Sequence, residues 1–387
     1  MGVKHPSERI FESCQNPGKR VPGSGAVLPY DLAVNPTSKP QDSAARAADN
    51  SPAGLIRLSD LSDARLADVL DLSDRFKAGV RRPEMAGKSV GFLFFRGSLR
   101  TRTAFEVAVH QLGGQGVHMS AGSDFWEVEA RDGVVMDGTA PEHVRDAAAV
   151  MSSYCDALAI RPRAAGNAWA VDRRDEGIHA WARHASVPII NMESALSHPL
   201  QALADLMTLR ETFGKNLSGK RLAIVWTPSP TPAGPAVVHS MLLAALRSGM
   251  QVSLAHPRGY DLDEGVLSEA KALGAQHPDG GLEHVNTARD AAAGAHVVYA
   301  RSWMSLENYG NKTRAASRVA TEKGEWLVDE ALMQLGDEAR LMHPMPIRRN
   351  LEVTDAVLDG PRSLVYQQAA NRLPTQKGLL SLLLRGQ

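Results

Sequence analysis

Cysteine is scarce in this chain of 387 residues, which contains only Cys14 and Cys155. Two cysteines so far apart make neither a disulfide framework nor a paired metal-binding pattern, so the sequence predicts a cytoplasmic protein. An apolar run of about 20 residues is also lacking, and no membrane-spanning helix is therefore predicted. The N-terminus has no apolar core of the kind that marks a signal peptide.

Net charge is lacking as well, because 43 lysines and arginines balance 43 aspartates and glutamates. Bulk charge therefore does not predict binding to nucleic acid or to an anionic membrane. No GxGxxG segment follows a predicted strand, so the glycine fingerprint of a dinucleotide-binding domain is missing. A nucleotide-dependent oxidoreductase is accordingly the weakest functional alternative.

Large apolar residues are few in residues 1–54, which are rich in proline, glycine, serine, alanine and asparagine. Such a segment cannot bury enough surface to offset the entropy lost on ordering, so we predict a disordered tail. Apolar runs of strand length then alternate with helical patterns to the end of the chain. The predicted strands are "KSVGFLFF", "QGVHMS", "DALAIR" and "VPIINM", followed by "RLAIVWT", "QVSLAHP", "HVVYA" and "RLMHPMP".

This alternation predicts an α/β fold with two doubly wound parallel-sheet domains and an active-site cleft between them. We place the first domain at residues 55–210 and the second at residues 211–365. Residues 366–387 are expected to contain a C-terminal helix. The segment "APEHVRDAAAVMSSY" is also predicted to be helical, with Pro141 in its first turn.

The segment "RGSLRTRTAFE", residues 96–106, places hydrogen-bond donors where a buried strand turns into a helix. Ser98 is the predicted N-cap, and the free backbone N–H groups after it make an anion site. Arg100 adds a guanidinium fork that matches phosphate geometry. Arg100 and Arg102 cannot share one face of a helix, so we expect one on the ligand and the other in a structural or subunit contact. The alternative is a capped helix with a solvated basic turn.

Three later segments also carry polar groups near predicted strand ends. In "NMESALSHPLQALAD", His198 and Gln201 lie three apart at a helix start, and Glu193 follows a strand. A histidine alone is more often structural. In "HPMPIRRN" and "QQAANRLPTQK", Arg348 and Arg372 lie in loop-like settings, where surface charge is the alternative interpretation.

Taken together, these segments resemble the aspartate/ornithine carbamoyltransferase family over residues 55–387. "SLRTR" stands where the family has S-T-R-T-R, "HPLQ" where it has H-P-x-Q, "HPMP" where it has H-C-L-P or H-P-L-P, and "AANRLPTQK" matches its closing N-R segment. "FWEVEARDGVVMDGTAPEH" and "YARSW" resemble the N-acylornithine branch of that family.

The resemblance implies a homotrimer with active sites shared between subunits, and neither a cofactor nor a metal. Residues 55–210 would bind carbamoyl phosphate, with the C-terminal helix packed back on them, and residues 211–365 would bind the amino substrate. The implied catalytic residues are Arg100, Thr101, Arg161 and His198. Carbamoyl phosphate would be held by these four and by Ser98, Leu99, Gln201, Pro344, Met345 and Arg372, with Trp126 from the next subunit. The amino substrate would contact Glu193, Arg301, Arg348 and Pro141.

The acceptor amine is predicted from two of these positions. Ornithine enzymes of the family have an aspartate where this chain has Arg301, and a cation there would repel a free α-ammonium. Pro141 resembles the succinylornithine pattern, whereas the acetylornithine pattern has an acid at that place. We therefore expect carbamoyl transfer to an N-acylated ornithine, with succinyl favoured over acetyl, for arginine synthesis. The alternatives are an amine of specialised metabolism and a non-catalytic family member.

Overall fold

The computed structural model describes residues 54–311 and 325–384. The predicted tail, residues 1–54, lies outside the described residues except for Gly54, and so do the last three residues of the predicted C-terminal helix. Within the described residues, no helix combines the length and the apolarity needed to cross a membrane.

The strands are β1 (Ser89–Phe94), β2 (Gln115–Ser120), β3 (Val128–Glu129), β4 (Glu142–His143), β5 (Ala157–Arg161), β6 (Ile189–Asn191), β7 (Arg221–Trp226), β8 (Gln251–Ala255), β9 (Gly281–Val285), β10 (Val297–Arg301) and β11 (Arg340–Met342). The helices are α1 (Asp63–Lys77), α2 (Arg100–Gln111), α3 (Val144–Tyr154), α4 (Trp169–Asp172), α5 (Glu176–His184), α6 (Pro199–Phe213), α7 (Ala236–Arg247), α8 (Glu264–Gly274), α9 (Ala288–Ala292), α10 (Glu330–Met333), α11 (Asp355–Leu358), α12 (Val365–Ala370) and α13 (Arg372–Leu384). A 3-10 turn, Leu58–Asp60, precedes α1.

Two parallel sheets organise the fold, as the alternating pattern predicts. The first has the strand order β2-β1-β5-β6 and the second the order β11-β10-β7-β8-β9. Every strand pair in both sheets is parallel. Central strands such as β5 and β10 are buried along their whole length, because helices cover both faces of a parallel sheet. The α/β prediction with two domains is therefore confirmed.

The sequence analysis missed β9, which lies at an edge of the second sheet. Its residues "GLEHV" are half-buried or exposed, so no continuous apolar run marks the strand. A shorter pair, β3 with β4, was also missed. The prediction that Pro141 lies in the first turn of α3 is wrong, and the β4 strand explains why. Glu142 and His143 pair with β3, and α3 begins only at Val144.

The start of α2 differs from the prediction in a similar way. The helix begins at Arg100 and the preceding Leu99 makes no capping bond, so the prediction that Ser98 caps it is wrong. The free backbone N–H groups at this helix start therefore remain available to a ligand. The helix α2 ends at Gln111, and Gly113 follows it with a φ of 83°, a conformation that glycine adopts easily after a helix.

The C-terminal helix α13 packs against α1, α2 and α6. Gly378 permits this close approach, since a Cβ at that position would lie 2.5 Å from Ser73 Oγ and 2.6 Å from Val69 O. The return of α13 to the first sheet places Arg372, at its N-terminal end, beside residues of α2 and α6. The boundary predicted at residue 210 falls within α6, which continues to Phe213.

Candidate active site

A cleft of about 410 Å³ lies at the carboxyl ends of strands from both sheets. Parallel strands converge there with the loops that follow them, which is the usual ligand position in α/β proteins. Most of the predicted site residues line it: Ser98, Arg100, Thr101, Arg161, Glu193, His198, Gln201, Arg301, Pro344, Met345, Arg348 and Arg372. Residues far apart in sequence thus meet in one cavity, while their binding roles stay predictions.

Thr101 lines this cleft and is almost fully buried. Its Oγ1 accepts hydrogen bonds from Arg372 Nη2 at 2.9 Å and from Arg161 Nη1 at 3.5 Å. Two guanidinium groups therefore occupy its acceptor positions, so its own O–H hydrogen points away from them. This arrangement makes Thr101 a donor available to a ligand oxygen.

Arg372, which contacts Thr101, also contacts Gln201. Arg372 Nη1 donates to Gln201 Oε1 at 2.8 Å, and Arg372 is buried with its Nε lacking a partner among the described residues. Burial lowers the pKa of Arg372 to about 10, so the group stays charged at neutral pH. A buried, charged group with a spare N–H is suited to a ligand anion.

Arg161 and Glu193 form a buried ion pair at 2.5 Å. Burial by itself would raise the pKa of Glu193, but Arg161, Arg96 and other nearby cations outweigh it and lower that pKa well below its usual range. Glu193 has a φ of 118°, a strained value for a residue with a side chain. Asn191 Oδ1 accepts the backbone N–H of Glu193 at 2.9 Å and helps to hold this conformation.

His198 lies at the start of α6, as the sequence predicts, and Pro199 is the first residue of the helix. Burial lowers the pKa of His198 well below its usual value, so the imidazole is neutral at pH 7. Its Nδ1 has no partner among the described residues, and its Nε2 lies 3.9 Å from Glu193 Oε2. A neutral imidazole can donate a hydrogen bond to a ligand oxygen without adding charge.

Two cleft arginines, Arg100 and Arg301, have side chains with no hydrogen-bond or ion-pair partner in the described parts of the chain. By contrast, the guanidinium of Arg102 is exposed outside the cleft and lies 5.8 Å from the ring centroid of Phe94. Of the two arginines only Arg100 lines the cleft, and its role as the ligand contact stays a prediction. Arg349, next to the cleft residue Arg348, is likewise occupied, by Asp355 and Asp359.

The turn after β11 presents Met345 to the cleft. The backbone N–H of Met345 donates to His343 Nδ1 at 2.9 Å. Because Nδ1 is an acceptor, the ring hydrogen lies on Nε2, which donates to Glu352 Oε2 at 2.7 Å. His343 and Glu352 are both buried, and Glu352 also lines the cleft. Burial lowers the pKa of His343, in keeping with a neutral ring.

Three predicted site residues do not line the cleft of their own chain: Leu99, Trp126 and Pro141. Leu99 is 77% exposed and Trp126 is 54% exposed. Trp126 Nε1 donates to Glu142 Oε2 at 2.7 Å, so the indole is tied to the segment that contains Pro141. For Trp126, this position agrees with the expectation that it serves a neighbouring subunit, which stays a prediction.

Several cleft residues were not assigned to the site from the sequence. Arg96 Nη2 donates to the main-chain oxygen of Glu193 at 3.0 Å and lies 3.3 Å from Oε1 of the Glu193 carboxylate. Ser229 and Thr231 both accept from Arg348, at 3.2 and 2.7 Å. The position of "TPSPTP" directly after the apolar run "RLAIVW" was the available signal, since ligands bind beyond strand ends.

His239 of α7 contacts the turn that precedes His198. The backbone N–H of Asp263 donates to His239 Nε2 at 3.3 Å, so His239 carries its hydrogen on Nδ1, which donates to Leu196 O at 3.1 Å. Burial lowers the pKa of His239 to about 4. The charged groups around it are Asp263, Arg57 and Arg173.

This geometry predicts a pH effect on stability. The unfolded chain protonates His239 near pH 6.5 and the folded chain only near pH 4, so folded stability should fall as pH drops through that window, by about 2 kcal/mol between pH 7.5 and pH 5. In His239→Gln this share of the loss should be absent. The measurement is the free energy of unfolding of both proteins at pH 7.5 and 5. Equal losses in the two proteins would contradict the assignment.

Comparisons with known proteins identify one family for both domains of the chain. The family description "Aspartate/ornithine carbamoyltransferase, carbamoyl-P binding domain" matches residues 54–211, and "Aspartate/ornithine carbamoyltransferase, Asp/Orn binding domain" matches residues 219–383. An N-acetylornithine carbamoyltransferase of Xanthomonas campestris is 38% identical over 310 residues, covering 80% of this chain and 91% of the relative. An ornithine carbamoyltransferase of Parafrankia is 40% identical over 311 residues, covering 80% and 87%.

A solved structure is similar over the same part of the chain. It is a glutamate-to-proline variant of N-acetyl-L-ornithine transcarbamylase complexed with carbamyl phosphate and N-succinyl-L-norvaline. It has a TM-score of 0.82 and 37% identity, and the match covers 85% of this chain and 99% of that one. Both family domains, the fold and the relatives lead to one conclusion: the chain belongs to the aspartate/ornithine carbamoyltransferase family of carbamoyl-transferring enzymes.

Proposed function

We propose that this protein transfers the carbamoyl group of carbamoyl phosphate to the side-chain amine of an N-acylated ornithine, with N-succinyl-L-ornithine favoured over N-acetyl-L-ornithine. The observation that carries the proposal is the charge of the cleft. Six arginines line it against two glutamates, and two of those arginines, Arg100 and Arg301, have no partner within the described residues. Such a cleft is suited to ligands with several negative charges.

Arg100 and the start of α2 are the proposed site of the phosphate group. Free backbone N–H groups at a helix start and an unpartnered guanidinium fork favour an anion with three acceptor oxygens. Ser98 lies beside them in the cleft. Thr101, Arg161, Arg372 and His198 are deeper and would surround the carbonyl oxygen.

The chemistry requires donors at both places. When the neutral amine attacks the carbonyl carbon, a C–N bond forms and negative charge builds on the carbonyl oxygen. The C–O bond to phosphate then breaks, the phosphate departs with the bonding electron pair, and its oxygen takes up the proton that the amine nitrogen loses. Preorganised donors such as Thr101 Oγ1 and the buried guanidinium groups stabilise this charge where it develops. Most of the rate enhancement would come from positioning and electrostatics.

Charge balance supports an acceptor with two carboxylates. Carbamoyl phosphate brings about two negative charges near neutral pH, because its terminal phosphate group ionises as that of a phosphate monoester does. Succinylornithine with an uncharged side-chain amine brings two more, which together match the excess of arginine over glutamate in the cleft. Acetylornithine brings one, and the α-ammonium of ornithine would oppose Arg301. The relative with N-succinyl-L-norvaline bound, together with Pro141 in the succinylornithine pattern, points the same way.

A second candidate acceptor is an amine that retains a positive group. Glu352 is a buried carboxylate in the cleft and could pair with such a group, and the Parafrankia relative is named an ornithine carbamoyltransferase. Against this candidate, Glu352 already accepts a hydrogen bond from His343.

An acceptor panel tests the proposal. With carbamoyl phosphate saturating, we expect kcat/KM to fall from succinylornithine to acetylornithine to ornithine. Each step should be about 10-fold or more, the size of one lost charge-assisted hydrogen bond. Arg301→Gln should lower kcat/KM for both acylornithines and leave the affinity for carbamoyl phosphate unchanged. Preference for unmodified ornithine would overturn the acceptor assignment.

We further propose that the enzyme acts as a homotrimer in the cytoplasm and serves arginine synthesis. The exposed position of Trp126, outside the cleft of its own chain, supports shared active sites.

A further inference from the structure

Asp205 of α6 is a fully buried carboxylate that does not line the cleft. It accepts three hydrogen bonds from three different elements. Gln201 Nε2 and Gln368 Nε2 donate to Oδ1 at 2.8 and 2.7 Å, and the hydroxyl of Tyr299 donates to Oδ2 at 2.8 Å. Asp205 therefore joins α6, α12 and β10 through side chains alone.

These bonds decide the orientation of both glutamine amides. An ionised carboxylate only accepts, so each glutamine must turn its NH2 group towards Asp205 and its Oε1 away from it. The Oε1 of Gln201 then faces the cleft, where it accepts from Arg372 at 2.8 Å. The Oε1 of Gln368 accepts the backbone N–H of His343 at 2.8 Å. Reversing either amide would set an NH2 group against a donor.

The same two amides control the surroundings of the NH2 group of carbamoyl phosphate in the proposed site. Gln201 Oε1 is an acceptor at the wall of the cleft. Gln368 fixes the main chain at His343, and His343 Nδ1 in turn fixes the backbone N–H of Met345 at 2.9 Å, two residues further on. Met345, with a φ of 54°, is held in a strained conformation that directs its carbonyl group.

We infer that Asp205 is a positioning residue that sets both acceptors for the NH2 group of carbamoyl phosphate, namely Gln201 Oε1 and the Met345 carbonyl. This inference rests on the proposed function. It assigns to one buried side chain the discrimination between a carbamoyl group, which has two N–H donors, and an acetyl group of nearly the same shape, which has none. Discrimination of this kind is strong when a site is built to accept a substrate hydrogen bond.

Burial raises the pKa of Asp205 to about 6, so the group is ionised at the pH of a normal assay. Protonation of Oδ2 would leave Oδ1 as the acceptor of both glutamines, because the hydroxyl of Tyr299 can then accept instead of donate. The same reasoning applies to Asp205→Asn, whose Oδ1 can face both glutamines while its NH2 group faces Tyr299. The carbonyl-type oxygen, not the charge, is the feature that matters.

The test compares the dissociation constants of carbamoyl phosphate and acetyl phosphate, which has a methyl group in place of the NH2. The wild-type protein should bind carbamoyl phosphate at least 10-fold more tightly. Asp205→Ala should weaken binding of carbamoyl phosphate by about 10- to 100-fold while acetyl phosphate changes by less than about 3-fold, the loss of one or two hydrogen bonds to a buried site. Asp205→Asn should retain the wild-type ratio.

Tyr299→Phe is the matched control, because it removes a bond to Asp205 without freeing either glutamine, and it should also retain the ratio. If Asp205→Ala does not fold, Gln368→Met removes the Met345 branch alone and should lower the ratio by itself. The inference is overturned if the ratio of the two dissociation constants is unchanged in both Asp205→Ala and Gln368→Met, or if both variants weaken the binding of carbamoyl phosphate and acetyl phosphate equally. A wild-type protein with no preference for carbamoyl phosphate would instead count against the proposed function.

Discussion

Replacing Arg100 with alanine is expected to lower the rate of carbamoyl transfer by on the order of 10²- to 10³-fold or more, the usual cost of removing one preorganised donor to developing charge. Arg100 is half-buried at the start of α2, lines the cleft and has no protein partner among the described residues. The variant loses no internal bond, so its melting temperature should stay close to that of the wild type. Steady-state kinetics and thermal unfolding measure the two effects.

Arg102→Ala is the matched control for this experiment, because it removes the same side chain two residues further along the same helix. Arg102 is exposed beside Phe94 and lies outside the cleft. Its loss should change kcat/KM by less than about 3-fold, as for a surface substitution. Wild-type activity in Arg100→Ala would remove the proposed phosphate site.

Replacing Trp126 with alanine should also inactivate the enzyme, although Trp126 does not line the cleft of its own chain. If active sites are shared between subunits, the exposed indole completes the phosphate site of a neighbour. We expect a loss of 10²-fold or more in kcat/KM, comparable to that of a direct phosphate ligand. Tyr154→Ala, which removes a side chain that is 69% exposed on α3, should have little effect.

Mixing the two inactive proteins separates a shared site from a structural defect. In a hybrid of Arg100→Ala and Trp126→Ala subunits, some sites combine an intact Arg100 with an intact Trp126 from the neighbour. Activity should therefore reappear after subunit exchange, at a substantial fraction of the wild-type level. Absence of recovery in verified hybrids would show that Trp126 does not act across subunits.

Strands with a continuous apolar run were predictable, and β2, "QGVHMS", was also predicted although it has no such run. The run "SVGFLF" identifies β1 because a strand covered on both faces must be apolar throughout. The edge strand β9 was not predicted, because its half-buried and exposed residues form no continuous apolar run. Ser98 was expected to cap α2 on local propensity alone, yet the helix begins one residue later than a Ser98 cap requires and leaves its start free.

For the site, the sequence supplied chemical types and the structure supplied partners. Arg348 and Arg349 are adjacent and indistinguishable in sequence, but only Arg348 lines the cleft, because Asp355 and Asp359 bind Arg349. Glu193 was expected beside the amino substrate, and the structure adds its buried pairing with Arg161. Asp205 was not identified from the sequence, because two of its three partners, Tyr299 and Gln368, lie far from it in the chain.

The amino-acid sequence by itself determined the class of fold and the segments that carry the chemistry, because strand burial, helix periodicity and the four family motifs are written in neighbouring residues. Only the tertiary structure decided which side chains meet, which arginines stay free for a ligand, and which way each amide points. Those properties depend on contacts between residues far apart in the chain, and distance in sequence gives no measure of distance in the folded protein.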